Sequence, residues 1–415
     1  MKDASVGAGR ALTAKYAGIQ GMYYSALVPV MAFASVFLLD RGFTNSQIGT
    51  LIALGNIGSA AMQLAIGQLA GRSRVFSIRA MVAALSAAVI ALSLALCTMP
   101  LAMAATAALY AAILIATLAM SPLISSMNFL FQNRGITADY GVARAAGSIM
   151  YAILSAALGR VAARFSASAI PWFNILALAG MLAFVASYRF PKGIPEAAPR
   201  AEEMVALARP QAAGAADFIR RNKRFLAFLA GVSLVYLSNA APQTYFLQII
   251  TPKGGDSQSL GITAAIGAAL EVPTMVGFAR LNRRVRCGTL IQVSLLFFTL
   301  KSIGLLLAPN MAGVYLVQCL NMFSFAMFIP ASVYYVARIM DEADRVKGQA
   351  YLGSAIALSG ICANFAGGRI LDAYGPGAML RCVVALSAIG NAIVIPVVRS
   401  MHGREDRRAG REVSG

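Results

Sequence analysis

Residues Leu260 to Phe278 read LGITAAIGAALEVPTMVGF, an apolar run interrupted by one charge, Glu271. A helix needs about 20 apolar residues to cross a hydrocarbon layer of about 30 Å, and this run is long enough. A carboxylate in mid-span costs about 2.5–3.5 kcal/mol on insertion scales, so it is expected to face protein, to have a partner and to serve a function. The other acidic residues of the sixteen lie in tails, loops or helix ends. Glu271 therefore points to a membrane protein with a working group at its centre.

The rest of the chain agrees with that stretch. Of 415 residues, 59% are hydrophobic and 12% charged, against about 25% charged in soluble domains. Twelve apolar stretches of spanning length are expected, near 16–39, 46–69, 77–97, 101–124, 143–163, 169–189, 225–249, 259–279, 288–308, 311–337, 349–370 and 376–398. With both termini inside, the cytoplasmic segments carry 27 of the 35 Lys and Arg and the outer loops 6, with Arg144 and Lys301 left within spans. Such an asymmetry sets orientation. It predicts a multi-pass protein of the cell (inner) membrane with both termini cytoplasmic.

The same distribution excludes a nucleic-acid partner despite the net charge of +19, because the basic residues are scattered over seven short segments and form no single folded face. The five cysteines show no metal spacing, so no metal and no cofactor is expected. Enzyme readings lack their parts: the one histidine, His402, is in the charged tail, one carboxylate lies within the spans, and no Gly-rich phosphate loop occurs.

The polar stretch Pro191 to Lys223 falls after the sixth span and reads as a linker. The expected organisation is a six-helix bundle over 1–190, a cytoplasmic linker over 191–223, a second six-helix bundle over 224–400 and a basic tail over 401–415. Gly49, Ala53 and Gly55 of span 2 return 212 residues later as Gly261, Ala265 and Gly267, and Gly147-Ser148 returns as Gly353-Ser354. Duplicated halves with solute held between them are one plan for a transporter.

Three stretches carry a resemblance to the major facilitator superfamily, in particular its lactose permease and nucleoside proton-symporter branch. These are Arg41-Gly42-Phe43-Thr44-Asn45-Ser46-Gln47-Ile48-Gly49, Asp139-Tyr140-Gly141-Val142-Ala143-Arg144-Ala145-Ala146-Gly147-Ser148, and Glu271-Val272-Pro273. The resemblance implies an all-α membrane fold of twelve helices in two pseudo-symmetric bundles. It departs at the loop after span 2, Gly67-Gln68-Leu69-Ala70-Gly71-Arg72, where the superfamily's Asp is missing. Gating is then expected to involve Gly67, Arg72 and Asp139, with Arg72 or Arg74 on helix carbonyls.

By the resemblance, Arg144 faces the cavity and grips solute, although span 4 lacks the acid that galactoside-transporting relatives supply. Its planar donor fork suits carboxylate, phosphate or vicinal hydroxyls. The alternative is an arginine that snorkels to water or pairs with Asp139. Lys301, where the branch has an arginine, has Glu271 as its expected partner. Either the two exchange protons, since changing their separation shifts the carboxylate's affinity for a proton, or they form a permanent ion pair. Ser324 stands where relatives carry a coupling acid. The neutral polar residues expected to bind solute are Gln20, Tyr24, Asn128, Asn239, Gln243 and Asn321. Prolines 29, 242, 273 and 330 are expected bends.

The function these readings imply is secondary active transport of a small hydrophilic solute, a sugar, glycoside or nucleoside, by alternating access. Protons and the lipid bilayer are the other partners, and the protein is expected to be a monomer. The competing readings are a facilitator or exporter of an amphiphilic or anionic compound without protons, and a non-transporting membrane receptor.

Overall fold

A computed structural model describes residues 2–72, 77–132, 140–188 and 215–413. Among these residues the chain is helical and has no strand. It divides into two units, one of 1–43 with 51–209 and one of 44–50 with 210–415.

In the first unit α1 (Lys2–Leu27) runs into a π-helical turn, Val28–Ala32, and α2 (Ala34–Asp40) leaves at 46°. Pro29 causes this, because it has no N–H to donate and its ring collides with the preceding turn. The widened turn is closed by Phe33 N–H donating to Val28 O at 3.1 Å, and the Tyr110 hydroxyl donates to Val30 O at 2.9 Å. There follow α3 (Asn45–Arg72), α4 (Ile78–Thr98), α5 (Met103–Gln132), α6 (Tyr140–Arg164) and α7 (Ile170–Ser187). Ser77 starts α4 by accepting from Ala80 N–H at 3.2 Å, the usual service of a serine N-cap. In an apolar medium the helices are joined by polar side chains. Asn174 of α7 accepts from Ser93 of α4 at 3.2 Å and donates to Ala26 O of α1 at 3.1 Å.

The second unit comprises α8 (Ala215–Arg221), α9 (Lys223–Thr244), α10 (Phe246–Ile250), α11 (Ser257–Arg284), α12 (Cys287–Leu307), α13 (Met311–Gln318), α14 (Phe325–Ile339) and α15 (Glu342–Val413). Asp256 caps α11 by accepting from Ser259 N–H at 2.8 Å, and Asn310 caps α13 at 3.1 Å. Gly375, at φ 77° and ψ 177°, breaks α15 into two arms; the left-handed region is open to glycine. Phe225, Phe228, Phe298, Phe328 and Tyr335 form the buried aromatic core.

Nine helices among the described residues are long and apolar enough to span, or ten if the bent α1–α2 pair is one span. One of the nine is the long Asp344–Met401 segment that Gly375 divides. Leu260–Phe278 lies within α11. The stretch expected as a linker is outside the described residues up to 214, and α8 occupies part of the remainder.

The bend expected at Pro330 lies elsewhere. Helices α11 and α14 are continuous through Pro273 and Pro330, and span 10 instead breaks at a 3-10 turn, Cys319–Met322, and at Ser324. Side chains support that break: Ser324 Oγ donates to Leu320 O at 3.1 Å, and Ser294 Oγ donates to Ser324 O at 2.9 Å.

Helices α9 and α15 meet backbone to backbone. A Cβ on Gly390 would stand 2.6 Å from Gly231 O and 3.1 Å from Val235 N, atoms that cannot rotate away. Gly390→Val is therefore expected to destabilise the unit by about 1–3 kcal/mol, the range for overpacking. A lower melting temperature of the purified protein, set against Gly360→Ala, where a Cβ meets nothing within 4 Å, checks this.

Candidate functional site

Polar groups gather at three places, one in the first unit and two in the second. In the first unit, Arg144 Nη1 on α6 donates to Ser148 Oγ one turn later at 2.9 Å, and the guanidinium lies over the Tyr24 ring of α1 at 4.2 Å. A cation over an aromatic face is held by the ring quadrupole. Gly147 makes room for it: a Cβ there would stand 2.6 Å from Tyr24 Cδ2. The Gly147-Ser148 pair thus seats the ring with one residue and anchors the arginine with the other. Among the described residues Arg144 has a hydroxyl and an aromatic face as partners.

Gln20 is buried and donates to the Tyr16 hydroxyl at 2.8 Å, a contact within the helix wall. Asn128 on α5 is buried with its Oδ1 lacking a hydrogen-bond partner. Gly67 lies in α3. Asp139 lies outside the described residues, and Arg72 is placed by its backbone as the last residue of α3.

In the second unit Lys301 of α12 is 8% exposed, and its Nζ donates to Asn321 Oδ1 at 3.0 Å. Asn321 sits in the 3-10 turn that breaks span 10, and its Nδ2 reaches Gly267 O of α11 at 3.4 Å. Glu271 follows Gly267 by one helical turn, is partly buried and acts electrostatically on both Lys301 and Tyr236 of α9. Asn239 and Gln243 of α9, Lys301 and Ser302 of α12 and Gln318 of α13 line one small cavity of about 30 Å³. The lysine's hydrogen bond to a neutral amide means that its charge is met by the carboxylate through space and by the cavity's dipoles.

The third place is at the beginning of α3, where Thr44–Thr50 belongs to the second unit although the helix continues in the first. Asp372 accepts from Asn45 N–H at 3.2 Å and Asn45 Nδ2 at 2.8 Å with one oxygen, and from Ser46 N–H at 2.7 Å with the other. Burial opposes ionisation of Asp372, and the hydrogen bonds from Ser46 and Asn45 outweigh it, holding the carboxyl below the usual carboxylate range. Gln248 Nε2 donates to Asn45 Oδ1 at 2.8 Å, and Tyr245 donates to Asn364 O at 2.6 Å. A Cβ on Gly49 would overlap Asn364 O and the Tyr245 hydroxyl, and one on Gly368 would overlap Asn45 O.

The structure brings together Arg144 with Tyr24, and Lys301 with Asn321, Asn239 and Gln243, while Gln20 is taken up by Tyr16. Sequence reasoning missed Asp372, Tyr236 and Tyr245. Asp372 reads as one loop acid among several, and its usable signal is the Asn45-Ser46 pair at a helix start, which lacks an acid of its own in the first turn.

Comparison with known proteins agrees with this architecture. The chain is 26% identical over 190 residues to the uncharacterized transporter YwbF of Bacillus subtilis (strain 168), a match spanning 43% of this chain and 45% of that protein, so less than half the length of that curated relative. Its fold is similar to the crystal structure of the nucleoside transporter NupG, with TM-score 0.76, 13% identity and coverage of 94% of this chain and 98% of that one. It is also similar to that of a D-xylose-proton symporter, with TM-score 0.66, 13% identity and coverage of 93% and 96%. At such identities these likenesses concern the fold. The MFS_1 like family model matches residues 14–381, nearly the whole helical body, and the chain therefore belongs to that family of membrane transporters, which are not enzymes.

Proposed function

We propose that this transporter carries a small hydrophilic organic solute, of the sugar, glycoside or nucleoside class, by alternating access and in company with protons. The observation that carries the reading is the buried Lys301–Asn321 pair with Glu271 acting on the lysine from the next helix. A carboxylate and an ammonium in a low-dielectric interior exchange protons readily when their separation changes. Support also comes from the fold, which is shared with solved structures named as a nucleoside transporter and a D-xylose-proton symporter. The protein is proposed to act as a monomer in the cell membrane with both termini cytoplasmic, following its basic residues.

Reconstitution with a lumenal pH dye tests the proposal, using a panel of sugars, nucleosides and organic acids. Solute entry is expected to acidify the lumen, and entry without acidification would overturn the coupling. A second reading has its own observation: Arg144 and Lys301 have neutral hydrogen-bond partners, which favours an anionic solute. Uptake of carboxylates in preference to sugars and nucleosides would decide for it.

Arg144→Lys keeps the charge and loses the planar fork, so apparent solute affinity is expected to weaken at least tenfold. Uptake kinetics of that variant, with membrane levels matched, check the role of the guanidinium.

A further inference from the structure

From the chemistry of the cavity beside Lys301, we infer that the second unit holds a binding site for one small monovalent anionic group, a halide or a carboxylate. The inference deepens the transport reading and rests on it only for what the group belongs to.

The wall is rich in donors. Lys301 has three N–H groups and gives one to Asn321, leaving two and the charge itself. Asn239 is 7% exposed, lines the cavity, and its Nδ2 is buried without any hydrogen-bond partner. A buried amide nitrogen left unpaired is costly, so its N–H groups call for an acceptor. The Gln243 and Gln318 amides add further donors to the same wall. Ser302 commits its proton to Phe298 O at 3.0 Å.

The acceptors on the wall, the amide oxygens of Asn239, Gln243 and Gln318 and the serine hydroxyls, are all neutral. The carboxylate that acts on Lys301, Glu271, does not line the cavity. What the surroundings present to an occupant is therefore a positive charge with unpaired N–H groups. Phe298, Phe246 and Leu305 complete the wall and keep the local dielectric low, which strengthens attraction for an anion. The cavity has room for a chloride or a carboxylate end.

The test uses the purified full chain in HEPES–Tris buffer, whose anion is a bulky ring sulfonate, at constant ionic strength, with chloride or formate titrated in and thermal unfolding followed. Wild type is expected to show a saturable rise in melting temperature. Asn239→Ala is expected to weaken the apparent affinity at least tenfold, and Lys301→Gln to abolish the response. If Lys301→Gln does not fold, Asn239→Ala carries the test alone.

Competition by formate or benzoate against the transported solute assigns the site to a solute carboxylate. Chloride-stimulated uptake without competition assigns it to a free anion. The inference is overturned if chloride and formate stabilise no more than the HEPES anion, or if both variants respond as wild type does. Proton-coupled uptake with no anion response would sink this inference and spare the transport reading. An anion response with no solute uptake would do the reverse.

Discussion

Glu271→Gln is expected to abolish pH-driven accumulation of solute, a loss of at least tenfold, while solute exchange at equal concentrations on the two sides continues. Glutamine has nearly the shape of the protonated acid and cannot release a proton, so the variant should bind and exchange but not be driven. The argument rests on position. Glu271 stands one turn beyond Gly267, whose carbonyl meets the same Asn321 that holds Lys301. No other acid falls in a stretch expected to span, so no neighbour in the sequence is placed to replace it. Protonation of Glu271 removes the charge that competes for the lysine, so acidification should favour occupancy of the Lys301 cavity, and the glutamine variant should lose that dependence. Accumulation measured against an imposed pH gradient, beside counterflow in the same vesicles, reads both halves of the expectation. Retained gradient-driven accumulation would remove Glu271 from the coupling step.

Gly368→Val is expected to reduce turnover more than tenfold without loss of membrane insertion. A side chain at this position would run into Asn45 O and the Tyr245 hydroxyl, and the carbonyl belongs to the first residue of α3, which has no freedom to retreat. Thr44–Thr50 could then not keep its place within the second unit, and Asp372 would lose its three donors. Gly360→Ala, beside open space on the same arm of α15, should transport as wild type does. Initial uptake rates normalised to protein in the membrane separate the two variants. Equal rates would mean that the close approach at Gly368 is not needed in the cycle.

The nine or ten spans found among the described residues were legible because hydropathy and length suffice to find a membrane helix. Arg144 and Lys301 were legible for the same reason that Glu271 was, as charges in apolar runs. The partner of each was harder to read. Lys301 was expected to have Glu271 as its partner; the carboxylate does act on it electrostatically, and the sequence did not reveal that the 3-10 turn of span 10 also presents the Asn321 amide to the lysine. A span that is apolar nearly all round gives no phase, and without a phase the sequence does not say which side chains face each other. The proline rule worked at Pro29, where the π turn and the 46° bend follow from the missing N–H. It failed at Pro330, where neighbouring serines at 294 and 324 sustain a break earlier in the chain. Asp372 was invisible because its donors are 326 and 327 positions away.

The Asp372 carboxylate also gives the protein a built-in reporter. The first amides of a helix have no partner within it and would exchange with solvent at once. Here those of Asn45 and Ser46 are occupied by a carboxylate whose low proton affinity keeps it ionised at neutral pH and lets go only in acid. Deuterium uptake at two backbone positions should therefore be slow whenever Thr44–Thr50 is seated and fast whenever it is not, so the fraction of time spent seated becomes a measurable quantity in unlabelled protein, with and without solute.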